Sequence, residues 1–90
     1  MAELSVVHPD GTTQTATIEQ PGLDDYYRLI GCDMIEVITL ADGREMIIDE
    51  EGKLKDVSAN PTATKAAEGV LLNGDWIAGV AVIQPGGTLE

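Results

Sequence analysis

The sequence is poor in the residues that most often carry chemistry. Its 90 residues include one cysteine and one histidine. A single cysteine excludes an internal disulfide and a metal site built from several thiolates. Any Ser-His-Asp or Cys-His catalysis would have to use His8. His8 ends the first predicted strand beside a turn, an ordinary place for a solvent-facing histidine, so we expect no catalysis there.

Cys32 is also a poor candidate for a reactive group. It follows Gly31, just past the C-terminal end of a predicted helix. The negative end of the helix dipole and the neighbouring Asp33 should raise the pKa of the thiol, which disfavours a nucleophilic thiolate. We therefore interpret Cys32 as a small buried apolar side chain.

Phosphate loops, membrane spans and secretion signals are missing as well. No GxGxxG pattern occurs, and the Pro85–Thr88 segment lacks the lysine and helix that follow in a phosphate loop. No stretch approaches the roughly 20 apolar residues that a membrane span needs. The first residues lack the basic start and apolar run of a secretion signal. We expect no enzyme activity, no cofactor, no metal and no membrane contact, and a cytoplasmic location.

Positively charged residues are also few. Five Lys and Arg residues face sixteen Asp and Glu residues, for a net charge of -11. Such a surface repels phosphate backbones, so direct binding to nucleic acid is not expected. It would attract another protein with a basic surface. Alternatively, the acidity only keeps a small protein soluble and monomeric, and a monomer is the favoured state.

Local patterns predict one domain, residues 1–88, and we interpret 89–90 as the remnant of a cloning site. Strands at 3–8 and 12–19 flank a Pro-Asp-Gly turn. Apolar residues at Leu23, Tyr26, Tyr27 and Ile30 have the spacing of a helix. Asp42-Gly43 then marks a second hairpin, over 34–50.

The second half of the chain predicts a short extended segment, a helix and a last strand. Asn60 suits a helix N-cap, with Pro61 at the first helical position and a helix over 62–68 that Gly69 ends. The run 76–83 predicts a strand that is covered on both faces. Its Gly79 would face the helix that contains Ala63. The fold class is α+β: a mostly antiparallel sheet of four to five strands in the order β-β-α-β-β-α-β, with two short helices.

An acidic turn lies between these halves, with carboxylates at Asp49, Glu50, Glu51 and Asp56 around Gly52. An EF-hand loop needs glycine at position 6 and oxygen ligands at positions 1, 3 and 5. Counted from Asp49, glycine arrives at position 4 and a lysine fills position 5. We interpret the segment as a solvated turn in which Gly52 has positive φ, and a weak exposed cation site as the alternative.

From Leu29 onward, the sequence IGCDMIEVITLADGREMIIDEEGKLKDVSANPTATKAAEG and the later IAGVAVI resemble domain of unknown function 3846. The resemblance implies a small cytoplasmic accessory protein of phages, plasmids or bacterial chromosomes. It implies a motif from Glu51-Gly52 to the Asn60-Pro61 helix start, followed by Ala63-Thr64, with Gly79 in the last strand. It supplies no catalytic residues.

Seven positions are therefore candidates for interaction or for the family's motif: Glu51, Gly52, Asn60, Pro61, Ala63, Trp76 and Gly79. The first hypothesis is a non-catalytic module that binds another protein through a sheet edge or the surface at Trp76. The second is an acidic mimic of DNA that inhibits a DNA-binding enzyme. The third, the least favoured, is an enzyme with a carboxylate site.

Overall fold

The structure is a computed structural model that describes residues 2–55 and 57–88. Asp56 of the acidic turn and the Leu89-Glu90 pair lie outside the described residues. The described elements, in chain order, are β1 (Ala2–Val7), β2 (Thr13–Ile18), α1 (Leu23–Ile30), β3 (Ile35–Thr39), β4 (Glu45–Asp49), a short 3₁₀ helix (Gly52–Leu54), α2 (Pro61–Ala66) and β5 (Ala81–Gln84).

The five strands form one sheet in the order β2-β1-β5-β4-β3. Every neighbouring pair is antiparallel, and β5 pairs with β1 on one side and with β4 on the other. The last strand in sequence is therefore the central strand of the sheet, and it joins two hairpins that do not pair directly. The predicted α+β class, with a mostly antiparallel sheet and two short helices, is confirmed.

Both faces of the sheet are covered, so the core has two parts. On one face, Tyr26 of α1 packs with Leu4, Val6, Ile47 and Val82. On the other face α2 contributes its alanines to the second cluster, whose buried members are Val7, Leu40, Met46, Ile48, Ala63, Ala67, Ile77, Ala81 and Ile83. All four residues of β5 are buried, as expected for a central strand with both faces covered.

The first helix and both hairpin turns agree with the sequence patterns. The carboxylate of Asp25 accepts a hydrogen bond from the Gly22 backbone N–H at 2.9 Å, at the start of α1. Gly31, with φ of 80°, ends the helix in a left-handed cap. Gly43, with φ of 91°, closes the hairpin between β3 and β4 as its Asp-Gly motif predicts.

The last strand is shorter than predicted, and the placement of Gly79 was wrong. The strand begins at Ala81, and only an isolated bridge between Ala59 and Ala78 precedes it. Gly79 has φ of 80°, a backbone conformation that interrupts a strand. A Cβ at Gly79 would meet Val57 at 3.6 Å, so this glycine does not face the alanine-rich helix.

The acidic turn also differs from its prediction. Gly52 does not have positive φ. It begins the 3₁₀ helix Gly52–Leu54, which replaces part of the predicted extended segment. Helix α2 ends at Ala66, two residues earlier than predicted, and Gly69, with φ of 94°, lies in the turns that follow.

Candidate binding site around Trp76

The predicted site residues meet around one short segment, residues 76–79. Asn60 donates its backbone N–H to the Ile77 carbonyl at 2.8 Å. Gly52 lies against Ala78. Trp76 begins the segment and Gly79 ends it. The structure thus brings together residues from the acidic turn, the start of α2 and the approach to β5, although they are far apart in sequence.

Asn60 is fully buried and all of its side-chain amide is used. Its Nδ2 donates to the carbonyl of Val7 at 3.0 Å and to the carbonyl of Gly79 at 2.9 Å. Its Oδ1 accepts from the backbone N–H of Ala63 at 3.0 Å, which is the predicted N-cap. Asn60 therefore ties β1, the segment before β5 and α2 to one another. Both N–H donors of this amide are engaged and the side chain is completely buried, so it is not accessible to a ligand.

The residues that follow Asn60 extend the same network. Pro61 occupies the first helical position, where a missing N–H costs nothing. Ala63 is completely buried in the second core cluster. The hydroxyl of Thr64 donates to the Asn60 carbonyl at 2.8 Å and accepts from the Ile77 N–H at 2.9 Å. These positions, which the sequence singled out, have structural contacts here.

The glycine at position 52 is explained by the close approach of the Ala78 backbone and not by a positive φ. A Cβ at this position would lie 3.1 Å from the carbonyl oxygen of Ala78, a backbone atom that cannot rotate away. Glu51, next to it, donates its backbone N–H to the carboxylate of Asp49 at 2.9 Å. Gly52 and its neighbours therefore pack the 3₁₀ helix against Ala78.

Trp76 differs from these residues because it is 45% exposed. The ammonium of Lys53 lies over its ring, 4.5 Å from the ring centroid, in a cation–π contact. The same ammonium forms an ion pair with the carboxylate of Asp75. That carboxylate also accepts the Trp76 backbone N–H at 2.8 Å. The pKa of Asp75 is lowered below its ordinary value of 3.8. The hydrogen bond from Lys53 is the largest cause, and the hydrogen bond from the Trp76 N–H is the next.

Beside Trp76 the surface forms a cavity of about 170 Å³. Its carboxylate lining comes from Glu36, Asp49, Glu50 and Asp75, and Lys53 is the one cation among its lining residues. Its apolar lining includes Trp76 itself and Leu54, Leu71 and Ile77. The cavity therefore combines an aromatic ring, aliphatic side chains and an excess of negative charge.

Two large aliphatic side chains near Trp76 are almost fully exposed. Leu54 is 86% exposed and Leu72 is 82% exposed. Leu54 lines the cavity, and the carbonyl of Leu72 accepts the Asp75 N–H at 2.9 Å in a turn. We call Lys53, Leu54, Leu72, Asp75 and Trp76 the Trp76 surface. Sequence reasoning found only Trp76 in this set, since single exposed leucines and lysines carry no local signal.

Asp49 is buried and lines both this cavity and a second one. Its carboxylate pairs with the ammonium of Lys55 at 2.7 Å, and this hydrogen bond raises the pKa of Lys55. The second cavity, about 340 Å³, shares Asp49 and Ala78 with the first.

Burial, followed by the nearby carboxylate of Asp49, raises the pKa of the Cys32 thiol. The direction agrees with the prediction, and Asp33, the predicted neighbour, raises this pKa less than burial and Asp49 do.

His8 and Cys32 take no part in either cavity. His8 shares a hydrogen bond of 2.9 Å with Gln14 across the first hairpin. Neither residue is among those that line the two cavities. Within residues 2–55 and 57–88, no three His, Cys, Asp or Glu side chains come together in a group that could hold a metal ion.

The family described as Domain of unknown function (DUF3846) matches residues 2–86 of the 90-residue chain. The chain belongs to this family. The match covers both the Asn60 network and the Trp76 surface of this DUF3846 domain. No curated protein and no solved structure matches the chain. In the described part of this DUF3846 domain, no helix has the length and apolar character to cross a membrane.

Proposed function

We propose that this DUF3846 domain is a non-catalytic module that binds another protein through the Trp76 surface. The observation that carries the proposal is the exposure of Trp76 and Leu54 at one cavity, together with the exposed Leu72, whose carbonyl is bonded to the N–H of Asp75 in the same cavity lining. Exposed apolar side chains that occur singly are normal, but a group of large ones with a polar rim is typical of protein-binding sites. Tryptophan in particular is enriched among the residues that dominate binding energy.

The charges around this surface favour a partner with a basic surface. Four of the five Lys and Arg side chains are in ion pairs with Asp residues of the same chain: Arg28–Asp25, Arg44–Asp42, Lys53–Asp75 and Lys55–Asp49. Positive charge is thus locally neutralised, and within residues 2–55 and 57–88 most carboxylates are outside these four ion pairs. Such a field speeds the encounter with a positively charged protein and suppresses encounters with acidic ones.

The experiment that tests this function compares two variants of exposed apolar residues. Tagged wild-type protein captures partners from an extract of bacterial cells, because we propose a bacterial cytoplasm as its setting. The affinity of the purified partner is then measured by calorimetry. Trp76→Ala should weaken binding at least tenfold, since a central tryptophan anchor contributes about 2 kcal/mol or more. Leu23→Ala is the control.

Leu23 is a suitable control because it is 54% exposed but belongs to α1, on the other face of the sheet. We expect its replacement to change the affinity less than about twofold, as for most residues outside a binding centre. Equal affinities for wild type and Trp76→Ala would refute the proposal. If binding instead survived Trp76→Ala but were lost in high salt, recognition would depend on the carboxylates, as in a mimic of DNA.

A further inference from the structure

We propose that the Trp76 surface binds an arginine side chain from a basic segment of the partner, and that Lys53 occupies this arginine position in the free protein. This inference rests on the proposed function, because it names the chemical group that the surface recognises. Lys53 would then be an internal competitor that the partner displaces.

The first argument is that a cation already lies on the Trp76 ring. Lys53 places its ammonium 4.5 Å from the ring centroid and pairs it with Asp75. Both side chains are partly open to solvent, at 43% for Lys53 and 31% for Asp75. An exposed ion pair and an exposed cation–π contact are each weak. A ligand that makes the same contacts better can therefore replace the lysine.

The second argument is that arginine makes these contacts better than lysine. A guanidinium is planar, so it can stack on an indole ring while its N–H groups form two parallel hydrogen bonds to one carboxylate. Arginine is also more weakly hydrated than an ammonium, so it loses less when it leaves water. Lys53 provides one point charge on a flexible chain. An arginine of the partner would pair with Asp75 and stack on Trp76 in its place.

The third argument is charge complementarity. Glu36 and Glu50 line the same cavity as Asp75, and Lys53 balances only one of these carboxylates. When Lys53 moves into solvent, an incoming arginine restores that balance, and further cations of the partner meet the remaining carboxylates. The aliphatic side chain of Leu54 lies at the same cavity and can cover the methylene groups of the arginine.

The test uses Trp76 as a fluorescent reporter, because it is the one tryptophan of the chain. The probe is the peptide acetyl-Gly-Arg-Gly-Arg-Gly-amide, and two further peptides carry lysine or citrulline in place of arginine. Citrulline keeps the shape of arginine but has no charge. Each peptide is titrated into wild type, Lys53→Met and Lys65→Met. The Lys65 variant is the matched control, since it makes the same change in net charge at an exposed position of α2 outside the cavity.

We expect Lys53→Met to bind the arginine peptide roughly fivefold more tightly than wild type, because the competing contacts are worth about that factor. Lys65→Met should stay within about twofold, the effect of net charge alone. The peptides should rank arginine, lysine, citrulline in every protein. Absence of binding in all three proteins, equal effects of the two lysine variants, or equal binding of citrulline and arginine would overturn the inference.

The outcomes also separate this inference from the proposed function. If Trp76→Ala weakens the natural partner but Lys53→Met behaves like Lys65→Met, the surface binds a protein without displacement of Lys53, and only the inference fails. If Trp76→Ala leaves the partner's affinity unchanged, the proposed function fails first. Tighter binding of the natural partner by Lys53→Met than by Lys65→Met would support both.

Discussion

Asn60 and Trp76 lie close to the same backbone segment but are in opposite states. The Asn60 N–H is bonded to the Ile77 carbonyl, and Trp76 is the residue before Ile77. Asn60 is fully buried, and its amide spends two donated bonds and one accepted bond inside the protein. Trp76 is 45% exposed, and its cation contact and its neighbouring carboxylate are both open to water.

This difference separates residues that build the domain from residues that are available to a partner. A buried amide with every polar group paired would cost free energy if it left its partners, so it stays where it is. An exposed ring with one weakly held cation can exchange that cation at little cost. The residue type alone, asparagine or tryptophan, does not reveal which state applies. Burial and the partners of each polar atom do.

The largest expected loss of stability follows replacement of the buried residue, Asn60. Asn60→Ala removes an N-cap and leaves the carbonyls of Val7 and Gly79 without their donor, so we expect a loss of about 3 kcal/mol in the free energy of unfolding. Trp76→Ala removes a larger side chain but should cost only about 1 kcal/mol, since much of the ring is already in water. Urea denaturation followed by circular dichroism measures both.

A second asparagine variant divides the effect of Asn60 between its cap and its donors. Asn60→Asp keeps an oxygen for the Ala63 N–H but places a carboxylate beside two carbonyls, so it should remain at least about 2 kcal/mol less stable than wild type near neutral pH. A greater loss for Trp76→Ala than for Asn60→Ala would contradict the division between the two regions.

The next largest effect is expected at Gly52 and Gly79. Replacement of either glycine by alanine should lower the free energy of unfolding by about 1 to 2 kcal/mol. At Gly52 the added Cβ would lie too close to the Ala78 carbonyl oxygen. At Gly79 the alanine would have to adopt a φ of 80°, which is unfavourable for a residue with a Cβ. Asparagine tolerates positive φ better than alanine, so Gly79→Asn should be more stable than Gly79→Ala. At Gly52 the larger asparagine should be worse than alanine. The same denaturation experiment decides, and the reverse order at either site would contradict its assigned cause.

The smallest expected effect is a change in the pKa of Asp75, which lies beside the exposed Trp76. Because Lys53 lowers the pKa of Asp75, the pair contributes to stability at pH values above the ordinary carboxyl pKa and is lost as the pH falls through the lowered value, below 3.8. Lys53→Met should therefore raise the pKa of Asp75 towards 3.8, measured from the chemical shift of its carboxyl carbon in an acid titration. We expect the rise to be partial, because the hydrogen bond from the Trp76 backbone N–H also lowers the pKa of Asp75 and is retained in the variant.

Lys55→Met is the control for this titration, since Lys55 pairs with Asp49 and not with Asp75. We expect it to leave the pKa of Asp75 unchanged. If both lysine variants moved the Asp75 titration equally, the general field of the protein would be the cause, and the specific contact of Lys53 with Asp75 would be disproved.

The parts of the fold that depend on local chemistry were predictable from sequence. The hairpin at Gly43, the end of α1 at Gly31 and the N-cap at Asn60 each rest on residues within a few positions of one another. The errors at Gly52 and Gly79 have a common origin. Glycine is used both for positive φ and for close approach, and a sequence does not distinguish these two uses unless the neighbour in space is known.

The candidate site was predictable only in part for the same reason. Trp76 was singled out, but the contact with Lys53 joins residues 23 positions apart, one in a short 3₁₀ helix and the other in an irregular segment. No periodicity relates such segments, so the contact follows only from the folded arrangement. The predicted preference for a basic partner, the absence of direct nucleic-acid binding and the monomeric state remain predictions.

The position of β5 has a consequence for how the domain is made. Among the five strands of the sheet, the central one is also the last to leave the ribosome, because it follows the other four in sequence. Until Ala81–Gln84 has emerged, the hairpin of β1 and β2 and the hairpin of β3 and β4 have no shared neighbour. Both remain as separate ribbons with an open edge on the nascent chain, and such two-stranded ribbons are at best marginally stable in water.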